Sequence, residues 1–370
     1  MEHIPLVDLR AQQAEIAQEV RPELDEILRT AAFIGGPAVE AFEADYARYT
    51  GSAHCIGVGN GTDALELALR AAGVRTGGEV ILPANTFVAT AEAVARLGAV
   101  PVLVDVDPDQ LLLDPAKVAG AVTAKTQAIV PVHLFGQLAP MDAVLAIAAQ
   151  CGAAVIEDAA QSQGARQGGK VSGSFGLAAA TSFYPGKNLG AAGDAGAVTT
   201  SDPDIAAQIR LLGAHGSSTR YVHEVVGMNS RLDALQAVIL RAKLKRLDRW
   251  NGLRRAAAAR YGALLQDVEG VAAPTSLPGN EDVWHLYVVQ LEDRDQVLAQ
   301  LQAAGIGAGI HYPTPVHLTK AFAYLGKGAG DFPVAEAAAG RILSLPIFPH
   351  ITAEQQERVV LALAASPGMR

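Results

Sequence analysis

From about residue 53 to residue 200, short apolar runs alternate with longer amphipathic stretches, and nothing else in the chain constrains its fold as strongly. The runs are Cys55–Val58, Val80–Pro83, Val100–Val104, Ala128–Val132, Ala153–Glu157, Ala179–Phe183 and Ala197–Thr200. Their length and apolar character predict strands. Between the first five lie helical patterns, including Ala64–Ala72, Val88–Leu97 and Met141–Gln150. This order predicts an α/β fold with a largely parallel sheet and helices on both of its faces. Ligands of such sheets sit beyond the carboxyl ends of the strands, so the loops after the runs carry the interest.

Further on, Leu232–Leu247 and Asn251–Leu265 read as long helices. The Pro- and Gly-rich stretch Val268–Gly279 reads as the entry to a second unit. There, strand His285–Leu291, helix Arg294–Ala304, strand Ile306–Ile310 and helix Ala353–Ala364 predict a smaller α/β domain. With 370 residues the chain suits two domains, 1–250 (with an N-terminal helical segment) and 251–370.

A net charge of -9 argues against nucleic acid or an anionic membrane as the main partner. Two cysteines, Cys55 and Cys151, are too few for a disulfide framework and lack metal-ligand spacing, so a reducing, cytoplasmic setting is expected. Residues Met1–Arg10 lack the apolar core of a signal peptide, and no apolar stretch is long enough to span a bilayer. The sequon Asn60-Gly61-Thr62 reads as accidental in such a chain.

Three loops carry chemistry. Gly57-Val58-Gly59-Asn60-Gly61-Thr62-Asp63-Ala64 is a Gly-rich turn from strand into helix, where free N–H groups and the helix dipole suit a phosphate. The alternative is a plain turn with Thr62 or Asp63 as N-cap. Ile156-Glu157-Asp158-Ala159-Ala160-Gln161 sets acids at the end of an apolar strand. A carboxylate there suits a pyridine nitrogen, unless Glu157 or Asp158 merely caps the next segment. Ser182-Phe183-Tyr184-Pro185-Gly186-Lys187-Asn188-Leu189-Gly190 holds a lysine between Gly and Pro, where desolvation frees the amine for imine chemistry. The alternative is a surface lysine in a turn. Cradle, carboxylate and constrained lysine together are what a pyridoxal-phosphate pocket needs.

With Phe33-Ile34-Gly35-Gly36-Pro37, Pro131-Val132-His133-Leu134-Phe135-Gly136 and Asn229-Ser230-Arg231-Leu232-Asp233 added in order, the chain resembles the DegT/DnrJ/EryC1/StrS sugar aminotransferases from Pro5 to about Pro349. The resemblance implies a type I pyridoxal-phosphate aminotransferase fold, with a mixed, mostly parallel sheet in the large domain. It also implies a homodimer with shared active sites, L-glutamate as amino donor and a nucleotide-sugar substrate. By the same resemblance Lys187 binds the cofactor covalently, Asp158 partners the pyridine nitrogen and Gln161 lies near the ring hydroxyl. Phe87 stacks on the ring, and Gly61, Thr62 and Ser182 hold the phosphate. Asn229 reaches the phosphate of the partner subunit.

Phe183–Gly190, Tyr221-Val222-His223-Glu224 and His311-Tyr312-Pro313-Thr314-Pro315-Val316-His317 resemble the members that aminate C3 of dTDP-3-keto-6-deoxyhexoses. Tyr184, His311 and Tyr312 would then line the hexose site. Two departures, Ala214-His215-Gly216 and Phe135 in place of a common tyrosine, bear on the substrate side. Amination at C4 of a UDP- or dTDP-4-keto sugar is the alternative, and a non-catalytic regulatory protein of the same fold a more distant one. A related dehydratase is disfavoured, since those relatives carry histidine where this chain has Lys187. His311 and His317 have no Cys, Asp or Glu at ligand spacing, so no metal is expected.

Overall fold

The computed structural model describes residues 3–366; residues 1–2 and 367–370, the outer ends of the two expected domains, lie outside the described residues. Helices α1 (Leu9–Thr30) and α2 (Pro37–Thr50) come first. Strands and helices then alternate as β1 (His54–Val58), α3 (Gly61–Ala71), β2 (Glu79–Pro83), α4 (Val88–Arg96) and β3 (Val100–Val104). The series continues through α5 (Pro115–Ala121), β4 (Thr126–Ile129), α6 (Met141–Cys151) and β5 (Ala154–Asp158). The short strands β6 (Arg166–Gln167) and β7 (Lys170–Val171) form a hairpin before β8 (Ala178–Ser182) and β9 (Gly196–Thr200).

Seven strands make one sheet in the order β1-β9-β8-β5-β4-β2-β3. Only β9 runs against its neighbours, so the sheet is mixed and mostly parallel, as expected. Apolar side chains of α3, α4 and α7 (Pro203–Gly213) pack into one core with residues of the sheet. Residues of α1, α2 and α8 (Ala234–Leu244) build another with Cys55, Phe183 and Ala197. Burial on both sides is why these strands read as unbroken apolar runs and not as alternating ones. The parallel order carries the ends of β1, β5 and β8, and the start of β9, to one edge.

Helix α9 (Leu247–Leu265) runs through residue 250 toward the small sheet. That sheet has the order β10-β12-β13, from β10 (Val271–Ala272), β12 (Tyr287–Leu291) and β13 (Ile342–Leu345). β11 (Asn280–Glu281) joins the β6–β7 hairpin. Helices α10 (Arg294–Ala303), α11 (Pro333–Arg341) and α12 (Ala353–Ala364) complete the unit. The segment Ile306–Ile310 is not the strand expected from sequence. It makes single bridges, Ile306 to Ile4 and Gly309 to Ser344, on either side of Gly307. The expected strand at His285 starts instead at Tyr287, because Leu286 N–H leaves the ladder to donate to Phe135 O at 3.2 Å. Among the described residues no helix is long and apolar enough to cross a membrane.

Candidate active site

The carboxyl ends of β1, β5 and β8 open on a cavity of about 700 Å³. Its wall takes in Gly61, Thr62, Phe87, Asp158, Gln161, Ser182, Tyr184, Lys187, His311 and Tyr312. Every expected site residue except Asn229 therefore lies on one surface.

The cavity floor begins at the N-terminus of α3. Asn60, and neither Thr62 nor Asp63, is the N-cap, its Oδ1 accepting from Asp63 N–H at 2.9 Å. The N–H groups of Gly61 and Thr62 are left as first-turn donors with no acceptor further back in the helix. Glycine is required at 61 by contact: a Cβ there would lie 2.6 Å from Ser182 Cβ. The loop before it is tied down by Ser230, whose hydroxyl accepts from Gly59 N–H at 3.0 Å and donates to Asp63 Oδ2 at 2.7 Å. The result is a small, fixed concavity edged by first-turn N–H donors, which suits a phosphate.

At the end of β5 the two adjacent acids part. Glu157 is wholly buried and accepts from the N–H groups of Gly173, Phe175 and Gly176 at 2.7–3.0 Å. It also lies 3.0 Å from His133 Nε2. Burial alone would raise its acid, yet His133 and the backbone donors together hold it below the usual carboxylate range. Glu157 ties β5 to the 173–176 turn and has no part in the cavity. Asp158, 6% exposed, faces the cavity, with Thr90 Oγ1 donating to it at 2.8 Å and Ala160 N–H at 3.2 Å. Burial pushes its acid up, against those donors and Lys187. A cationic partner in the cavity would restore its charge.

Lys187 lies in a loop whose shape is over-determined. Phe183 N–H donates to Ala195 O, Ala191 N–H to Phe183 O and Lys187 N–H to Tyr184 O, each at 2.8 Å. Gly190 packs so closely that a Cβ would fall 2.2 Å from Pro185 O. The buried Lys243 ammonium donates to Gly190 O at 2.7 Å. Asn188, next to the lysine, donates to Asn251 Oδ1 and Val283 O, both at 2.9 Å. Burial lowers the Lys187 ammonium to about 8, partly offset by Asp158. A surface lysine in a turn would have none of these restraints.

The rim is aromatic and polar. Phe87 is 50% exposed and meets Tyr312 at a ring-centroid distance of 5.2 Å. Gln161 links Phe135 to Tyr312: its Oε1 accepts from Phe135 N–H at 2.6 Å and its Nε2 donates to Tyr312 Oη at 3.0 Å. His311 Nδ1 lies 2.8 Å from Ser344 Oγ. Tyr184 projects from the mouth. Asn229 is exposed and pairs through its backbone with Ala214, outside this chain's own cavity wall.

Sequence reasoning missed Thr90, Asn60 as a cap, and His285, Arg96 and Asp194 on the wall. Thr90 had a usable signal, since it stands one helical turn after Phe87 on the same face. The pairing of His285 with Asn188 had none, because 97 residues separate them. Among the described residues no group of three or more His, Cys, Asp or Glu is arranged to hold a metal.

A mostly parallel sheet with a strand-end acid, a restrained lysine and a helix N-terminus suited to an anion, all on one cavity, is an arrangement that suits an aminotransferase. The DegT/DnrJ/EryC1/StrS aminotransferase family model matches residues 14–364, and the chain belongs to that family. It is 50% identical to the erythromycin biosynthesis sensory transduction protein EryC1 of Saccharopolyspora erythraea, over 98% of this chain and 99% of that one. It is 44% identical to the dTDP-3-amino-3,4,6-trideoxy-alpha-D-glucose transaminase of Streptomyces venezuelae (97% and 95% covered). It is 45% identical to the UDP-N-acetyl-3-dehydro-alpha-D-glucosamine 3-aminotransferase of Acidithiobacillus ferrooxidans (97% of each). The crystal structure of S. venezuelae DesV in complex with ketimine intermediate superposes with a TM-score of 0.96 at 44% identity, covering 98% of each chain.

Proposed function

We propose that this aminotransferase uses pyridoxal 5′-phosphate to pass an amino group from L-glutamate to C3 of a dTDP-linked 3-keto-6-deoxyhexose, for amino-deoxysugar synthesis in the cytoplasm. The carrying observation is that one cavity gathers Lys187, Asp158, Gln161 and the α3 N-terminus beside His311 and Tyr312. The cofactor fits what is present. Gly61, Thr62 and Ser182 would hold its phosphate, Phe87 its ring face and Gln161 its ring hydroxyl. Asp158 would meet the pyridine nitrogen. In this reading residues 1–250 carry the cofactor and 251–370 close the sugar side.

Pyridoxal phosphate, when bound, supplies an aldehyde that an amine can capture and a ring that absorbs charge from a substrate carbon. Lys187 Nζ would be the amine that tethers it. When free, the same Nζ would take the proton from glutamate Cα and hand it on within the cavity, and in the second half-reaction it would carry a proton to the sugar carbon. With its ammonium lowered to about 8, a useful share of Nζ is neutral near physiological pH. Asp158, held by Thr90 and Ala160, would keep the ring nitrogen protonated. His311, Tyr312 and Tyr184 offer the donors and acceptors a polyol needs, since an unpaired buried one costs about 1–3 kcal/mol.

The two transaminase relatives are both named for position 3, which favours C3 over C4; one is named for a dTDP sugar and the other for a UDP sugar. The name of the S. erythraea relative raises a regulatory role. The intact Lys187–Asp158–Gln161 set speaks for catalysis. Incubation with glutamate and a panel of dTDP- and UDP-keto sugars, read by mass spectrometry and NMR, tests the proposal. A 3-amino dTDP sugar is expected, a 4-amino product would overturn the regiochemistry, and no 2-oxoglutarate with any sugar would overturn the enzyme reading.

A further inference from the structure

Two threonine hydroxyls form a chain that ends on the Asp158 carboxylate. Thr90 Oγ1 lies 2.8 Å from Asp158 Oδ2 and 2.8 Å from Thr86 Oγ1. Both threonines are buried, and with Asp158 they belong to the cavity wall. A threonine inside a helix has a local use for its hydroxyl, which can bond the carbonyl four residues back. Thr90, in the first turn of α4, forgoes that bond, and both of its hydroxyl contacts are side chains. Thr86 forgoes another local use, since Phe87 takes the N-cap position and no side chain caps the helix. The loop that carries Thr86 is fixed on two sides. Ala84 N–H donates to Val104 O and Ala84 O accepts from Val316 N–H, each at 2.9 Å. Asn85 Nδ2 donates to Leu111 O at 2.8 Å.

Proton counting sets the direction of the chain. A hydroxyl has one proton to give, and Thr90 has two partners. An ionised Asp158 only accepts, so Thr90 gives its proton to Oδ2 and accepts from Thr86. Among the described residues the Thr86 hydroxyl has no other partner, so no second acceptor competes for its proton. A neutral Asp158 can donate to Thr90 instead, and the chain then runs the other way, toward Thr86. Each direction thus belongs to one charge state of Asp158.

We propose that Thr86 is a positioning residue for Asp158: by donating to Thr90 it commits the single Thr90 proton to Asp158 Oδ2 and holds the carboxylate in its ionised setting. That this carboxylate meets a ring nitrogen rests on the cofactor reading above. Without the Thr86 hydroxyl, Thr90 is free to turn to the carbonyl of residue 86, and its hold on Asp158 weakens. A donor at the far end also polarises the next hydroxyl and strengthens the bond it makes. The titratable groups facing Asp158 are Lys187 from the loop between β8 and β9, His133 from the turn after β4, and Tyr312. Ala160 N–H holds the other oxygen, Oδ1.

The test follows the Asp158 carboxyl itself. In full-length protein stripped of cofactor and carrying ¹³C-aspartate, that carboxyl is assigned by its absence in Asp158→Asn and titrated by NMR. Thr90→Val keeps the shape and removes the donor, so the midpoint should rise by about one to two pH units. Thr90→Ser, which keeps the hydroxyl, should stay near wild type. Thr86→Val should raise the midpoint by about half a unit. In a chain that already carries Thr90→Val, it should add nothing further. A packing role would give Thr86→Val the same effect in both backgrounds, and that result, or an unmoved midpoint in Thr86→Val alone, would overturn the proposal. The cofactor reading is checked apart from this, in loaded protein whose cofactor carries ¹⁵N at the ring nitrogen. If Asp158→Asn leaves that resonance unmoved, the reading fails while the titrations still decide the role of Thr86.

Discussion

Glu157 and Asp158 are neighbours of one charge with opposite work, and strand geometry divides them. Successive side chains on a strand point to opposite faces, so one acid serves the fold and the other the cavity. Asp158→Asn should keep the cofactor, because the cradle at Gly61 and Thr62 is untouched, yet lose at least about a hundredfold in turnover. Near-normal turnover would return Asp158 to a merely structural role. A third acid shows what an uncompensated one costs. Asp282 is 5% exposed, its Oδ1 has no partner among the described residues, and Ser276 alone donates to its Oδ2, at 2.5 Å. Burial pushes its acid up to about 6 from 3.8. The folded state then holds a proton that the unfolded chain releases, so stability is fullest below about pH 4 and declines as pH rises through about 6. That decline is on the order of 3 kcal/mol at most, at 1.36 kcal/mol per pH unit. Asp282→Asn should flatten it and be more stable than wild type at pH 8, as measured by urea unfolding between pH 4 and pH 8. An unchanged pH slope would remove Asp282 as its source.

Among elements, the loop from β8 to β9 has the least freedom, and its rigidity is a packing property. Gly190→Ala would press a methyl onto Pro185 O, which overpacking data price at about 1–3 kcal/mol. Because Pro185 lies two residues before Lys187, the shift should appear in catalysis as well as stability. Stopped-flow measurement of the glutamate half-reaction should find it slowed tenfold or more, and a rate equal to wild type would mean that the lysine tolerates loop movement. Element by element, the sequence was most legible where burial was two-sided. The seven apolar runs correspond to the seven strands of the large sheet within two or three residues at their ends. The two-residue strands β6, β7, β10 and β11 have no run to read. Ile306–Ile310 misled because its apolar ends flank glycines that pack on other backbone, a Cβ at Gly307 lying 2.5 Å from Leu6 N. In the same way, the cavity residues in loops directly after strands were readable. His285 was not, since its partner Asn188 is distant in the chain and a buried histidine has commoner uses, whereas Thr90 was legible only through its place one helical turn after Phe87.

At the scale of the whole molecule the open question is where the site ends. Asn229 is exposed, near an exposed apolar surface that includes Val225 and Val226 on the loop before it. Phe33 and Ile34 are exposed as well, although Phe33 O accepts from Ala234 N–H at 2.9 Å and the segment is well held. Exposed apolar side chains on an ordered surface suit a second subunit. In a two-fold dimer each chain would lend Asn229 to the phosphate site of the other. Complementation separates this from a self-sufficient monomer. Lys187→Ala removes the amine from its own cavity, whereas Asn229→Asp places a repelling charge in the partner's. Either variant alone should have little activity. A hybrid dimer gathers both defects into one site and leaves the other whole. Random exchange puts half of the dimers into hybrids with one intact site each, so an equilibrated equal mixture should recover about a quarter of wild-type activity. Recovery should be absent before exchange and should rise with subunit mixing, followed by native mass spectrometry of size-tagged chains. A mixture that forms hybrids and stays inactive would show that Asn229 serves no partner's site.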